Sequence, residues 1–576
     1  MAIPSTRQPP QQLPAKPAAG GCKAEGHTTP CNDKRPQQVS VPAKRVIPIV
    51  FLPGIMGSNL RMTGARQAEL KKSNNIAWRP DRKAEALKMV NAKPRQRQLQ
   101  LDPEQTEVDV YDPIHNPTGD LDETADQRHD NARVGFDLGL TIETPLLMDD
   151  LPTAKPPRKT KEQKARERGW GEIYFSSYSD LLEICELRLN TAFSKGKMDE
   201  WWRQIVGVAP AEWQASPEPP LQPLTEGELK QAVSGCWFPV HAMGYNWLES
   251  NRESGTNTAK RIEALIKSYQ GKYSCEKVII VTHSMGGLVA RALIHPKMGN
   301  LEAKVLGVVH GVQPALGAGT AYKRMRCGFE DSTFDPAPKV LGNYGSEVTA
   351  VLGNSPGGLE LLPNQAYGNG WLRAQRDSHV LARWPMSGDP YEDIYKRRVN
   401  DKWYALLQED WINPARDLQS GFARTARFLD QAKQFHNDLA GVYHQQSYAH
   451  YGVDPGHPAW HDVTWQIADE SGLANVEPLQ IVKDDKQGSL WVIDPKAPSR
   501  DGRTRGIAVT MGRATGAGDQ TVPMESAEDQ LNSGTFKGIF RQRGYEHQAS
   551  YKDERALHST LYCLVRIALT MQWSES

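Results

Sequence analysis

The most constraining feature of this chain is a strand that meets a helix with only a serine turn between them. Residues 277–282 read Lys-Val-Ile-Ile-Val-Thr, an apolar and β-branched run that predicts a strand buried on both faces. Residues 283–287, His-Ser-Met-Gly-Gly, lead at once into 288–294, which predicts a helix. A turn this sharp lifts the Ser284 hydroxyl above the end of a sheet, and the two glycines let strand and helix pass closely.

Strands and helices alternate on both sides of this turn. Further strands are predicted at 46–52, 236–242 and 305–309, and an amphipathic helix is predicted at 258–269. Such alternation is typical of a parallel sheet with helices on both faces, so the predicted fold class is α/β.

The later part of the chain is less regular. Residues 330–505 are rich in Trp and Tyr and show no alternation that places them in the sheet. A strand is predicted at 506–510, and a last helix is predicted from about 553 to 572.

Ser284 has the setting of a nucleophile elbow, the turn that presents a catalytic serine. In such a turn the N–H of the next residue, here Met285, serves as an oxyanion donor, and the helix N-terminus favours developing negative charge. Thr282 stands where the usual G-x-S-x-G pattern has its first glycine. We predict Ser284 as a catalytic nucleophile and Met285 as the first oxyanion donor.

A second oxyanion donor has to come from another loop. Residues 53–57, Pro-Gly-Ile-Met-Gly, follow the first strand, and their glycines permit a tight turn and a close approach. We predict the Ile55 N–H as this donor and keep the Met56 N–H as the alternative. An ordinary strand-end turn is the other interpretation of this loop.

The acid and the base are expected after the serine in chain order. Asp519 lies in a glycine-rich turn and is predicted to be the acid, with a calcium loop or a plain turn as the alternative. His547 lies in a loop before the last helix and is predicted to be the base. His558 falls inside that helix and is expected to be structural, and His283 is expected to shape the elbow.

Composition narrows the class of protein. The 576 residues include 69 basic and 68 acidic side chains, and a net charge of +1 argues against electrostatic binding of nucleic acid. A hydrophobic content of 39% supports a folded core. No apolar stretch reaches the roughly 18 residues of a membrane span. Residues 1–48 carry no apolar run of the kind that a signal peptide needs.

Two cysteines, two charged stretches and four histidines give only weak indications of a site. A bridge or metal pair between Cys22 and Cys31 is left open. An acidic stretch at 102–130 and a basic stretch at 155–168 are expected to be solvated surface or mobile insertions, and calcium binding by the acidic stretch is left open. Late histidines match no compact zinc spacing, so no metal is predicted; they are His444, His450, His457 and His461.

Three motifs resemble those of the α/β-hydrolase lipases related to lecithin:cholesterol acyltransferase and GPI-inositol deacylase. They are Val-Phe-Leu-Pro-Gly-Ile-Met-Gly-Ser-Asn-Leu at 50–60, Thr-His-Ser-Met-Gly-Gly at 282–287 and Gly-Asp-Gln-Thr-Val-Pro at 518–523. Residues 245–248 read Tyr-Asn-Trp-Leu where such proteins often have Tyr-Asp-Trp-Arg. The whole layout is similar to that of the antibacterial type VI secretion lipase effectors, with supporting segments at 168–178, 356–363 and 545–553.

This resemblance implies a function. Ser284 would attack an acyl ester of a membrane phospholipid, His547 would take the serine proton, and Asp519 would orient the imidazole. No cofactor is implied. The implied partners are the phospholipid membrane, an immunity protein and the spike protein of the secretion machinery. The protein would be made in the cytoplasm, be secreted without a signal peptide, and act at the periplasm or membrane of a target cell. The alternatives are a generic ester hydrolase or acyltransferase on the same fold, and a non-catalytic binding protein.

The implied architecture is one α/β-hydrolase domain at 46–576 after a flexible Pro-rich arm at 1–45. Two insertions, at about 61–235 and 330–505, are expected to form a cap or lid, because insertions at the carboxyl edge of a parallel sheet overhang the active site. Their tryptophans suit an interfacial cap, although packing within the cap explains any single one equally well.

Overall fold

The computed structural model describes most of the chain. The described residues are 11–18, 21–24, 37–40, 43–111, 161–194, 196–216, 220–330, 340–468, 473, 475–496 and 506–574. The described residues do not include most of the acidic stretch, the first part of the basic stretch or Cys31. The side chain of Cys22 is also not described. Within the predicted flexible arm, three segments have strand backbone; they are Gln11–Ala18, Gly21–Ala24 and Gln37–Ser40.

A six-stranded parallel sheet lies at the centre of the protein. Its strands are, in chain order, β1 (Ile49–Leu52), β2 (Val240–Ala242), β3 (Val278–His283), β4 (Val305–Gly311), β5 (Ser447–Gly452) and β6 (Gly538–Gln542). Their order across the sheet is β2-β1-β3-β4-β5-β6, and every neighbouring pair is parallel. The predicted α/β class is therefore correct.

Helices cover both faces of this sheet. Side chains of β3 alternate, so that Ile280 joins one apolar core and Ile279 joins the other. Helices α2 (Asn251–Gln270) and α3 (Gly286–Ile294) pack into the first core. Helices α1 (Phe175–Asn190) and α4 (Glu554–Ala568) pack into the second. The result is a three-layer arrangement with β3 near its middle.

Two strands of the sheet, β5 and β6, lie where the sequence did not predict them. β5 reads Ser-Tyr-Ala-His-Tyr-Gly, and it falls inside 330–505, the region that showed no pattern assignable to the sheet. All six of its residues are buried, because β4 and β6 flank it and helices cover it. The expected second insertion is therefore interrupted by a strand of the central sheet.

A second six-stranded sheet is built from the residues around β5. Its strands, in spatial order, are His379–Trp384, Leu372–Arg376, Val463–Ala468, Gly506–Met511, Ser489–Ile493 and Gln480–Asp484. The predicted strand at 506–510 belongs to this mostly antiparallel sheet and not to the parallel one.

The remaining elements lie mainly in the connections, and most of them are short; the helix Phe422–Leu439, with 18 residues, is the longest. The other α-helices are Gly64–Glu69, Lys83–Val90, Pro94–Gln100, Lys161–Glu167, Glu226–Val233, Gly319–Cys327, Gly345–Leu352, Pro356–Leu359, Glu409–Ile412, Phe422–Leu439, Met524–Ala527 and Asp529–Asn532. The other strands are Arg45–Val46, Leu60–Met62, Ile76–Trp78, Thr106–Val108, Phe193–Ser194, Lys197–Met198, Cys236–Trp237, Asp454–Ala459 and Gly516–Gly518. Across the described ranges, no helix combines the length and apolarity needed to cross a membrane.

Individual charged residues at the described ends of the two stretches are buried, where the sequence predicted solvated surface or mobile insertions, while Glu104 and Glu107 are exposed. Arg168 forms an ion pair with Glu186 at 2.8 Å, and both side chains are at most 2% exposed. Asp109 pairs in the same way with Arg79 at 2.7 Å. For Arg168 and Asp109 the prediction was wrong, because a buried charge is stable when it has a charged partner, and these partners are distant in sequence or lie outside the stretch.

Candidate active site

Ser284 sits at a strained turn between β3 and α3. Its φ is +53°, a left-handed value that residues other than glycine rarely adopt. The Ser284 N–H donates to the Gly311 carbonyl at 2.8 Å, which fixes the turn against β4. A Cβ placed on Gly286 would lie 2.4 Å from the Leu52 carbonyl oxygen, so this helix start passes β1 at a distance that only glycine allows. The turn therefore has the local geometry predicted for a nucleophile elbow.

His547 lies between Ser284 and Asp519. Its Nδ1 is 2.8 Å from Asp519 Oδ2, and its Nε2 is 2.8 Å from Ser284 Oγ. An ionised carboxylate can only accept, so Nδ1 carries the hydrogen and Nε2 is left to accept the hydrogen of the serine hydroxyl. The structure thus brings the three predicted side chains together, with His547 between Ser284 and Asp519.

Asp519 is held from behind by backbone amides. Its Oδ1 accepts from the N–H of Val522 at 2.7 Å and of Thr521 at 3.1 Å. The His547 N–H donates to the Asp519 carbonyl at 2.9 Å, so the two loops also contact through their backbones. These contacts fix the carboxylate and leave Oδ2 for the imidazole.

The site is largely closed to solvent. Ser284 is 5% exposed, His547 8% and Asp519 1%. Hydrogen bonds and charge interactions are stronger in such a setting than in water. A molecule that reacts with Ser284 therefore needs a path that these surroundings restrict.

The loop 53–57, which we call the oxyanion loop, lies directly beside Ser284. A Cβ on Gly54 would be 3.0 Å from Ser284 Cβ. The N–H groups of Ile55, Met56 and Met285 have no acceptor among the residues that the structure describes. Both predicted second donors, Ile55 and Met56, thus lack a described acceptor, and the role of either as an oxyanion donor stays a prediction.

Three aromatic side chains that sequence reasoning did not assign to the site hold this loop. Tyr245 Oη donates to the Pro53 carbonyl at 2.7 Å, and the Gly54 N–H donates to Tyr178 Oη at 3.3 Å. Trp78 Nε1 donates to the Met56 carbonyl at 2.7 Å. Tyr178 and Trp78 come from the region expected to be the first insertion, and no local pattern marks them as partners of the loop.

The other histidines occupy different surroundings. His558 lies on α4 with its ring 5.5 Å from the Trp201 ring and 6.2 Å from that of Trp213. His283 Nε2 lies 2.9 Å from the His547 carbonyl oxygen. Burial and the nearby His547 hold the pKa of His283 well below its usual range, so it stays neutral.

The four late histidines are dispersed. His450 lies on β5, where burial lowers its pKa to about 4, and His457 pairs with Asp454 at 2.8 Å. His461 lies against the Tyr367 ring, and His444 Nδ1 accepts the Gln446 N–H at 3.0 Å. Over the described part of the chain, no group of three or more His, Cys, Asp or Glu is arranged to hold a metal ion.

Comparison with solved structures gives a relative of high coverage. No protein-family model matches the chain, and no curated protein matches it. A solved structure described as the crystal structure of the Tle4-Tli4 complex is similar, with a TM-score of 0.70 and 31% sequence identity. The match covers 92% of this chain and 99% of the other.

Proposed function

Because the chain belongs to the Tle-type lipase effectors of type VI secretion, we propose that it hydrolyses acyl esters of membrane phospholipids with Ser284 as the nucleophile. The observation that carries this proposal is the hydrogen-bonded series Ser284–His547–Asp519 beside N–H groups that have no described acceptor. A serine with a base, an orienting acid and an oxyanion site is the arrangement that acyl transfer requires.

The proposed reaction has two halves. Ser284 Oγ attacks the ester carbonyl carbon while His547 Nε2 takes the hydroxyl proton, and the Met285 and Ile55 N–H groups bind the resulting oxyanion. Collapse of this intermediate breaks the bond to the glycerol oxygen, to which His547 returns the proton. Water then attacks the acyl-serine with His547 as base, and the fatty acid leaves while Ser284 regains its proton. Asp519 keeps the imidazole in the required tautomer and stabilises its charged form.

The architecture proposed with this function is an α/β-hydrolase fold with cap regions. The parallel sheet and the serine turn at the carboxyl end of β3 support it. The cap would comprise about 61–235 and the parts of 330–505 outside β5. Tyr178 and Trp78, which hold the oxyanion loop, are contributions of the first region to the site.

We further propose that the protein is an antibacterial effector with an immunity partner. The similarity to a protein solved as the Tle4-Tli4 complex supports a dedicated protein partner. Such an effector would be made in the cytoplasm, be carried by a spike protein, and act on the membrane from the periplasm of a target cell. Expression directed to the periplasm is then expected to stop growth, while cytoplasmic expression is tolerated.

Fatty-acid release from phospholipid vesicles tests the enzymatic proposal. We expect wild type to release fatty acid and Ser284→Ala to lose at least about 10⁴-fold in kcat, because the nucleophile is removed. Ser447→Ala is the matched control, since Ser447 is equally buried in β5 and its hydroxyl has no described partner. Activity retained by Ser284→Ala, or none in wild type, would contradict the proposal.

A further inference from the structure

We propose that Tyr178 is a positioning residue that couples the oxyanion loop to the loop that carries His547. The proposal rests on the proposed function, since it takes Ser284 as the nucleophile. Tyr178 lies on α1, is 1% exposed, and contacts both the oxyanion loop and His283. It does not touch the reacting atoms, so its effect has to pass through the groups that it holds.

The hydrogen-bond directions in this network are fixed by its two ends. The His547 carbonyl can only accept, so His283 Nε2 carries a hydrogen and donates it at 2.9 Å. His283 is neutral, and a neutral imidazole has a single N–H, so its Nδ1 is an acceptor. Tyr178 Oη lies 3.1 Å from that Nδ1 and is therefore the donor.

The tyrosine oxygen completes the network on the other side. It accepts the Gly54 N–H at 3.3 Å. Burial raises the pKa of Tyr178 to about 12, so the phenol keeps its proton at neutral pH. A continuous series therefore runs from Gly54 through Tyr178 and His283 to the backbone of the proposed base.

The contact at Gly54 bears on the orientation of the oxyanion donor. The Pro53 carbonyl and the Gly54 N–H belong to one peptide plane, and Tyr245 binds the first while Tyr178 binds the second. The Ile55 N–H belongs to the next peptide plane. Two tyrosines thus fix the plane that precedes the proposed donor, but only Tyr178 continues to His283.

Tyr178→Phe isolates the hydroxyl, because the ring and its contact with Phe51 at 4.8 Å remain. Tyr395→Phe is the matched control, since Tyr395 is fully buried and its hydroxyl donates to the Pro363 carbonyl. A fluorophosphonate probe reports on Ser284 directly: Oγ attacks phosphorus, fluoride leaves, and His547 takes the proton. The labelling rate, the kcat and KM of ester hydrolysis, and the melting temperature are measured for each variant.

We expect Tyr178→Phe to label Ser284 about 10- to 100-fold more slowly than Tyr395→Phe, because a displaced oxyanion donor loses transition-state stabilisation. Its kcat should fall by a similar factor with KM changed less than about twofold, since the loss is confined to the transition state. Its melting temperature should match that of the control. Equal labelling rates in the two variants would overturn the proposal.

A double-mutant cycle tests the coupling itself. His283→Leu breaks the network, whereas His283→Gln keeps one acceptor and one donor and should recover much of the rate. If the network acts as one unit, Tyr178→Phe combined with His283→Leu loses little more than the larger single effect. If the losses of labelling rate in the two single variants multiply in the double variant, the coupling is overturned. If Tyr178→Phe does not fold, equal labelling rates in His283→Leu and His283→Gln would overturn the coupling.

The probe also separates this proposal from the proposed function. Wild type that reacts with the probe but releases no fatty acid from phospholipid vesicles would contradict the proposed substrate. The comparison of labelling rates would still decide the role of Tyr178.

Discussion

Asp519 lies beside the end of β5 in the fold, although strands of the second sheet separate the two in the chain. Strand β5 ends at Gly452, and Asp454 is the first carboxylate after it. The chain then leaves for the second sheet and returns through Gly516–Gly518, which pairs with the strand that begins at Asp454. On its return Asp519 lies against Gly452, where an added Cβ would be 2.7 Å from Asp519 Cβ. Two carboxylates therefore lie near the end of β5, and they bind different histidines.

Substitution of these carboxylates distinguishes their roles. Asp519→Asn should lower kcat by about 10⁴-fold, because an amide facing Nδ1 favours the wrong imidazole tautomer. Asp454→Asn, the matched control, should lose less than about tenfold, because Asp454 binds His457 and the Gly544 N–H and not His547. Steady-state ester hydrolysis measures both. A larger loss in Asp454→Asn than in Asp519→Asn would contradict the assignment of the acid.

At the scale of single elements, the turn around Ser284 depends on how closely α3 passes β1. A Cβ added to Gly286 would clash with the carbonyl oxygens of Leu52 and Pro53, which are backbone atoms and cannot rotate away. Gly271, which ends α2 with φ −70°, has nothing within 4 Å of its added Cβ. The two glycines thus differ in surroundings while both have right-handed backbone.

Their alanine variants should consequently shift stability in opposite directions. Gly286→Ala is expected to cost about 1–3 kcal/mol by overpacking and to lower the labelling rate of Ser284. Gly271→Ala is expected to be neutral or to stabilise by up to about 1 kcal/mol, because alanine restricts the unfolded chain. Thermal unfolding of both variants measures the difference. Equal melting temperatures and equal labelling would show that the close approach does not govern the turn.

The strands that could be predicted from the sequence are those whose apolar side chains indicate burial. β1, β3 and β4 are continuous apolar runs, so burial on both faces could be inferred for them. β5 contains Ser447, Tyr448 and His450, whose burial depends on neighbours that arrive from distant parts of the chain. Tyr178 and Trp78 were not predicted to hold the oxyanion loop for the same reason, since only the folded chain brings them to it.

At the scale of the whole molecule, Glu360 joins three segments in the interior. Its carboxylate accepts from Ser250 Oγ and from the Asn251 N–H and side chain at the start of α2. Its carbonyl accepts from His436 on the helix Phe422–Leu439. Burial raises the pKa of Glu360 to about 7, although the hydrogen bonds from Ser250 and Asn251 oppose the rise.

This raised pKa predicts a pH-dependent contribution to stability. The unfolded chain releases the Glu360 proton near pH 4.3 and the folded protein near pH 7, so the folded state binds more protons between them. The contribution is fully present below about pH 4.3 and is lost as the pH rises to about 7. Relative to Glu360→Gln, wild type should therefore lose stability over this window, as measured by denaturant unfolding. If the free energies of unfolding of the two proteins vary in parallel with pH, the raised pKa of Glu360 is contradicted.

The central claim, that Ser284 is the nucleophile of a phospholipid-ester hydrolase, is tested most directly by locating a covalent adduct. The protein is treated with a long-chain alkyl fluorophosphonate, with and without phospholipid vesicles, and its peptides are analysed by mass spectrometry. We predict a single adduct on Ser284, slower to form when phospholipid competes, and none in Ser284→Ala. An adduct on another residue, or labelling that Ser284→Ala retains, would contradict the account.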